Sequence, residues 1–272
     1  MTDQIWLEVG ERVFARRYAF LDQQIGAILT EDGPLIVDTR STHAHGREIL
    51  ADLRELTTLP VAAVVNTHHH WDHAFGNSAF RPAQIWGHVR CAQRLRERGE
   101  QMRAKVIGDY PELAGDLRAV AFDPPDRTFE DAALLEIGGR RIELRHLGRG
   151  HTDNDIVAIV PDAAVLFAGD LLENDATPYF GDGFLIDWPA TAGAIGRLVT
   201  GAVVPGHGSI GDLAFVERQA AEFRAIAGLA ERVHGGELAL DEACRLAPYP
   251  DADAHEPIER ALAQLRGELD RA

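Results

Sequence analysis

Short apolar runs broken by turn residues open the chain. Ile25-Gly-Ala-Ile-Leu29, the turn Glu31-Asp-Gly-Pro34 and the run Leu35-Ile-Val37 predict a β-hairpin. Ser41 is placed to cap a helix from about Thr42, with Ile49, Leu53 and Leu56 on one buried face. Val61–Val65 is apolar throughout, as a strand buried on both faces should be. A strand over Gln84–Gly87 and a helix over Val89–Arg98 follow. Residues 99–128 are polar and carry Gly108, Pro111, Gly115, Pro124 and Pro125, which predicts a helical and looped excursion over a cleft. Strands resume at Ala133–Ile137, Ile142–Leu147, Ile156–Val160 and Val165–Ala168. From about residue 213 the pattern turns helical, with Val216, Ala220, Phe223, Ala227 and Ala230 in one stripe and Ile258, Leu262, Leu265 and Leu269 in another.

No linker rich in Ser, Gly or Pro interrupts this order, so residues 1–272 are expected to form one domain. Gly26–Asp38 and Ile156–Asp170 echo each other as apolar run, acidic turn, apolar run and Asp. The echo predicts two similar halves, each a mixed sheet with helices outside. Stacked, they make a four-layer α/β sandwich with sites along the seam.

Composition narrows the partners. The chain is 46% hydrophobic and 26% charged, the balance of a globular protein. Its 27 basic and 43 acidic residues leave a net charge of −16, which argues against nucleic acid or an anionic membrane surface and leaves a small molecule as the expected partner. Cys91 and Cys244 are read as reduced, buried thiols. The amino terminus lacks the features of a signal peptide, and no apolar run approaches the ~20 residues that span a bilayer, so a cytoplasmic protein is expected. Lys105 is the only lysine.

The histidines decide the chemistry. Residues 66–77 read Asn-Thr-His-His-His-Trp-Asp-His-Ala-Phe-Gly-Asn. An extended segment after a strand points His68 and His70 to one side, where they can hold a metal ion, and Trp71 to the other, where it packs. Asp72, read as the N-cap of a following helix, offers with His73 an oxygen and a nitrogen to a second ion. His151, Asp170 and His207 each lie at a strand end, on or beside glycine, where loops gather and sites are built.

The pattern His68-x-His70-x-Asp72-His73, Gly-His151-Thr, Gly-Asp170 and Pro-Gly-His207-Gly resembles the metallo-β-lactamase-fold superfamily from about residue 20 to 210, with a glyoxalase II-like ligand set. The resemblance implies an αβ/βα sandwich and two zinc ions per chain, with iron or manganese also suited to such ligands. His68, His70 and His151 would hold the first ion, Asp72, His73 and His207 the second, and Asp170 would bridge them. It implies hydrolysis of an ester, thioester, lactone or amide by metal-activated water, with Asp72 steering that water or accepting its proton.

The alternatives on this scaffold are a β-lactamase and an iron-dependent oxidoreductase like the persulfide dioxygenases. Many zinc β-lactamases carry cysteine in place of Asp170 and, three residues on, a lysine for the drug carboxylate. Glu173 stands there instead, and Lys105 lies far off in the excursion, so β-lactams are expected to be poor substrates. The segment Leu171–Tyr179 also lacks the glycine, cysteine and arginine cluster of glyoxalase II. Tyr179, Phe180 and Trp188 are candidates for a substrate wall and Arg149 for an anion clamp. Asp38 is a candidate to orient a ligating imidazole. His43, His45, His69, His88, His146, His234 and His255 match no ligand position.

Overall fold

The computed structural model describes residues 5–269. The first half of the chain gives β1 (Leu7–Gly10), β2 (Val13–Tyr18), β3 (Gln23–Ile28), β4 (Leu35–Val37), α1 (His43–Asp52), β5 (Ala63–Val65), the short α2 (Trp71–Ala74), β6 (Gln84–His88), α3 (Val89–Asp109), α4 (Ala114–Arg118) and β7 (Arg127–Phe129). The second half gives β8 (Ala132–Ile137), β9 (Arg140–Arg145), β10 (Val157–Val160), β11 (Val165–Glu173), α5 (Trp188–Gly196), β12 (Ala202–His207), α6 (Leu213–His234), α7 (Leu240–Leu246) and α8 (Asp251–Leu265).

Side-chain alternation builds the layers. Leu35 and Val37 of β4, Ala63 and Val65 of β5, and Val165 and Phe167 of β11 join one inner apolar layer, shared with Ile142, Leu144 and Val160. The residues between them face outward. Ile36 and Val64 pack with Ile49 of α1, whereas Leu166 and Ala168 pack with α5, α6 and α8 through Ile195, Phe223 and Ile258. Helix, sheet, sheet, helix is therefore the order of the layers, and the fold is an αβ/βα sandwich.

The two sheets are joined rather than separate. A single hydrogen-bonded path runs β7-β6-β5-β4-β3-β12-β11-β10-β9-β8, with β2 and β1 added outside β3. Its middle link, β12 to β3, is one residue pair, His207 with Gln23. Near that link Gly26 faces Phe167 so closely that a Cβ at 26 would overlap the ring.

Local differences from the sequence pattern have physical causes. The helix expected to stop near Arg98 runs on to Asp109, because Cys91, Leu95 and Val106 continue one buried face and Gly99 lets the Phe122 ring come close. Thr42, not Ser41, caps α1 by accepting the His45 amide at 3.1 Å. Asp72 lies inside the first turn of α2, whose N-cap is the extended His70. Strand β11 passes straight through Asp170 to Glu173 instead of ending before it. Among the described residues, no helix is long and apolar enough to cross a membrane.

Candidate metal centre

The cluster forms where the two halves meet. Beyond β5 the chain turns at Asn66, whose amide donates to the His73 carbonyl at 3.1 Å and to Asn77 Oδ1 at 3.0 Å. That turn brings His68, His70, Asp72 and His73 to the seam from the first half. The second half supplies His151 from the β9–β10 connection, Asp170 from within β11 and His207 from the end of β12. Glycine is required beside two of these. A Cβ at Gly206 would overlap Asp170 Oδ1, and Gly169, at φ +54, lies against Thr67.

All seven predicted side chains converge. His70 Nδ1 and His151 Nε2 lie 2.8 Å apart, and Asp170 Oδ2 lies 3.6 Å from His68 Nε2 and 3.4 Å from His151 Nε2. On the other side, Asp170 Oδ1 is 3.2 Å from His73 Nε2 and 3.4 Å from His207 Nε2. Asp72 Oδ2 is 3.4 and 3.3 Å from the same two nitrogens. Asp170 thus turns one oxygen to each group of ligands.

The remaining ring nitrogens are occupied from behind. His73 Nδ1 donates to Asp38 Oδ2 at 2.8 Å, His151 Nδ1 to the Tyr179 carbonyl at 3.1 Å, and His207 Nδ1 to the Leu21 carbonyl at 2.7 Å. His70 Nε2 donates to Asp182 at 3.0 Å. His68 Nδ1 meets Thr67 Oγ1 at 3.1 Å, and that hydroxyl donates to Asp38 at 2.8 Å. Each contact fixes a tautomer whose free lone pair points into the cluster.

This arrangement fits metal cations. With those tautomers, His70 Nδ1 and His151 Nε2 face each other lone pair to lone pair, a contact that only a cation or proton between them relieves. His68 Nε2 and Asp170 Oδ1 are buried with no hydrogen bond. Burial drives His68 well below the ordinary imidazole range and His151 down to about 3. It acts likewise on His73 and His207, but the carboxylates of Asp170 and Asp72 outweigh it and hold both rings well above that range, so these two rings carry inward the proton that a bound cation would displace. Burial would raise Asp72 and Asp170, yet His73 and His207 keep both ionised. Nitrogen and carboxylate donors, without thiolate, suit zinc, iron or manganese.

A sequence profile of the metallo-beta-lactamase superfamily matches residues 20–240. The chain belongs to that superfamily. A metallo-beta-lactamase type 2 from Bacillus sp. (strain 170) is 26% identical over 188 residues, 67% of this chain and 65% of the relative. A linear primary-alkylsulfatase from Pseudomonas sp. (strain ATCC 19151) is 26% identical over 174 residues, 54% of this chain and 33% of the relative. The chain spans less than two thirds of the length of these curated relatives. The solved structure of a metallo-beta-lactamase from Pontibacter korlensis has TM-score 0.67 at 21% identity, covering 82% of this chain and 99% of that one, a likeness of fold.

In this superfamily member a cavity of about 660 Å³ opens onto the cluster through Asp72, Asp170 and His207. Tyr179, a candidate for the substrate wall, lines it. Trp188 does not. It is fully buried, donates Nε1 to the Leu171 carbonyl at 3.1 Å and packs on Phe223, so it is a core residue, and the same holds for Phe180. Arg149 lies outside the cavity, held by Asp187 at 2.7 Å with its guanidinium over Phe184, beside a separate cleft with Arg90 and Arg94.

Other residues enter the wall unannounced. Trp71, read as packing, lines the cavity and meets Tyr110 with ring centroids 5.4 Å apart. His69 is buried, lines the same cavity and sets Nδ1 3.0 Å from the Asn154 amide. Asp182 escaped the sequence reading, although its setting, Gly181-Asp182-Gly183, is the glycine-flanked kind that singled out His151. The electrostatic reading of Glu173 also changes. Its carboxyl is buried, accepts the Tyr179 amide at 3.0 Å and is pushed up to about 8 by burial and by Asp170. The lysine expected far away, Lys105, lines the cavity.

Proposed function

We propose that the protein is a dinuclear, zinc-dependent hydrolase of small-molecule esters, thioesters, lactones or amides. The single observation that carries this reading is Asp170, which offers one oxygen to His68 and His151 and the other to His73 and His207. His68, His70 and His151 would hold one ion, Asp72, His73 and His207 the other, and Asp170 both. The names of the relatives, β-lactamases and an alkylsulfatase, support hydrolysis as the reaction type.

Two such ions would lower the pKa of a shared water and polarise the bond under attack. The chain's own residues do the rest. Asp72 lines the cavity with Oδ2 beside His73 and His207, where its carboxylate would accept a hydrogen bond from the attacking water and orient it. Trp71, Met102, Val106 and Tyr110 give the cavity an apolar wall that limits bulk water near the reacting bond. Asp38, Asp182 and the carbonyls of Leu21 and Tyr179 keep the ligating rings turned inward.

The test pairs elemental analysis of zinc-loaded protein with a hydrolysis screen over thioesters, lactones, β-lactams and phosphodiesters. Two zinc equivalents per chain and turnover of at least one acyl substrate, both abolished in Asp170→Ala, are expected. One iron per chain with no hydrolysis would replace this reading with an oxidoreductase.

A further inference from the structure

Helix α3 turns one face to the cavity. Arg98, Met102, Lys105, Val106 and Asp109 recur on it at helical spacing, and all line the cavity wall. The two cations on that face stand out against the charge of the chain, which has 43 acidic residues and a single lysine. Other arginines of α3 are paired with carboxylates: Arg94 meets Asp153 at 2.8 Å, and Arg103 meets Glu100 at 3.6 Å. Among the described residues, Lys105 has no carboxylate within 4 Å. Its ammonium contacts the Tyr179 hydroxyl at 3.4 Å across the mouth, with Nζ 5.8 Å from the ring centroid.

Asp109, one helical turn beyond Lys105, shares this face and acts on its ammonium through space, and Asp22 is paired with Arg17; the other acidic groups of the cavity are engaged with the cluster. Asp72 and Asp170 face the imidazoles, Asp182 accepts from His70, and Glu173 is buried against the Tyr179 amide. An apolar stretch formed by Trp71, Met102, Val106 and Tyr110 also lines this cavity. We infer that the substrate carries an apolar body and, remote from the bond that is cleaved, an anionic tail of the carboxylate kind, which Lys105 binds at the mouth. Lys105 is then a specificity-determining residue on α3. The inference rests on the hydrolase reading only for the turnover part of its test.

Matched probes isolate the tail charge. Suberate and octanoate have the same length and the same carboxylate head, and differ in whether the far end is charged. Reductive methylation with carbon-13 formaldehyde labels Lys105 as the single lysine, so its NMR signal reports on that site alone apart from the terminal amine. In metal-loaded protein, suberate should shift this signal and octanoate should not. A partly exposed ion pair is worth up to ~1 kcal/mol, so the ratio of suberate to octanoate affinity should fall about fivefold in Lys105→Gln. It should be kept in Lys105→Arg and fade as salt screens the pair.

For turnover, KM for mono-4-nitrophenyl suberate relative to 4-nitrophenyl octanoate should rise by the same factor in Lys105→Gln with kcat unchanged. An affinity ratio that Lys105→Gln leaves unaltered would overturn the inference, even if both esters are hydrolysed. Lys105-dependent binding of suberate, with no hydrolysis of either ester or of any substrate in the screen above, would uphold it and remove the hydrolase reading instead.

Discussion

Asp38 reaches both sides of the cluster, and its removal tests whether the cluster is held by the chain behind it. Its carboxylate accepts from the Thr67 amide, from the Thr67 hydroxyl that in turn meets His68, and from His73, all at 2.8 Å, and it is 2% exposed. Asp38→Ala leaves the Thr67 amide and His73 Nδ1 without acceptors in a dry interior. Each orphaned donor costs about 1–3 kcal/mol, so a loss of about 2–6 kcal/mol is expected. Residue 38 has φ +66, where alanine adds roughly another 1 kcal/mol and asparagine little. For a domain of this size, about 2–4 °C of Tm accompanies each kcal/mol, so metal-free Asp38→Ala should melt at least about 6 °C below the parent, with Asp38→Asn between them. Freed to rotate, His68 and His73 would weaken both metal sites by roughly 10–100-fold. Calorimetry of the metal-free proteins and competition with a chromophoric chelator measure the two effects separately. A variant melting within about 2 °C of the parent, with unchanged metal affinity, would refute the reasoning.

Gly206→Ala should act on the bridging position without touching a ligand: its Cβ would overlap Asp170 Oδ1, so metal content should drop and activity fall by at least about 100-fold, while circular dichroism still shows a folded chain. Trp188→Phe deletes the donor to the Leu171 carbonyl inside the core and should cost about 1–3 kcal/mol in denaturant unfolding with KM unchanged; a changed KM at constant stability would return Trp188 to the substrate wall.

Much of the cluster was legible because its chemistry is written in residue type and in position at strand ends. His68, His70, Asp72, His73, His151, Asp170 and His207 could be gathered from apolar runs and glycines alone, and the echo of Asp170 pointed to Asp38. What stayed hidden depends on packing between distant segments. Lys105 enters the cavity because α3 continues through Gly99, and that continuation depends on Phe122 filling the space a side chain would take. Trp188 follows the bridging aspartate in sequence, but α5 turns it into the layer with Phe223. Asp182 becomes a partner of His70 only through the path of the segment between β11 and α5, for which no periodicity exists. The continuous sheet was likewise invisible, since a single pair, His207 with Gln23, joins its halves.

That slender joint makes the interior of the sandwich a spacer. Four of the seven convergent groups ride on one half and three on the other, so what sets their separation is the thickness of the apolar filling rather than the backbone link. Phe167 seated against Gly26 works as a shim, three residues ahead of Asp170 on one side and three beyond Gln23 on the other. Exchanging such fillers would widen or narrow the gap between the ligand groups with every ligand intact. Divergence in metal preference among chains of this architecture can therefore begin in residues that never see metal, water or substrate.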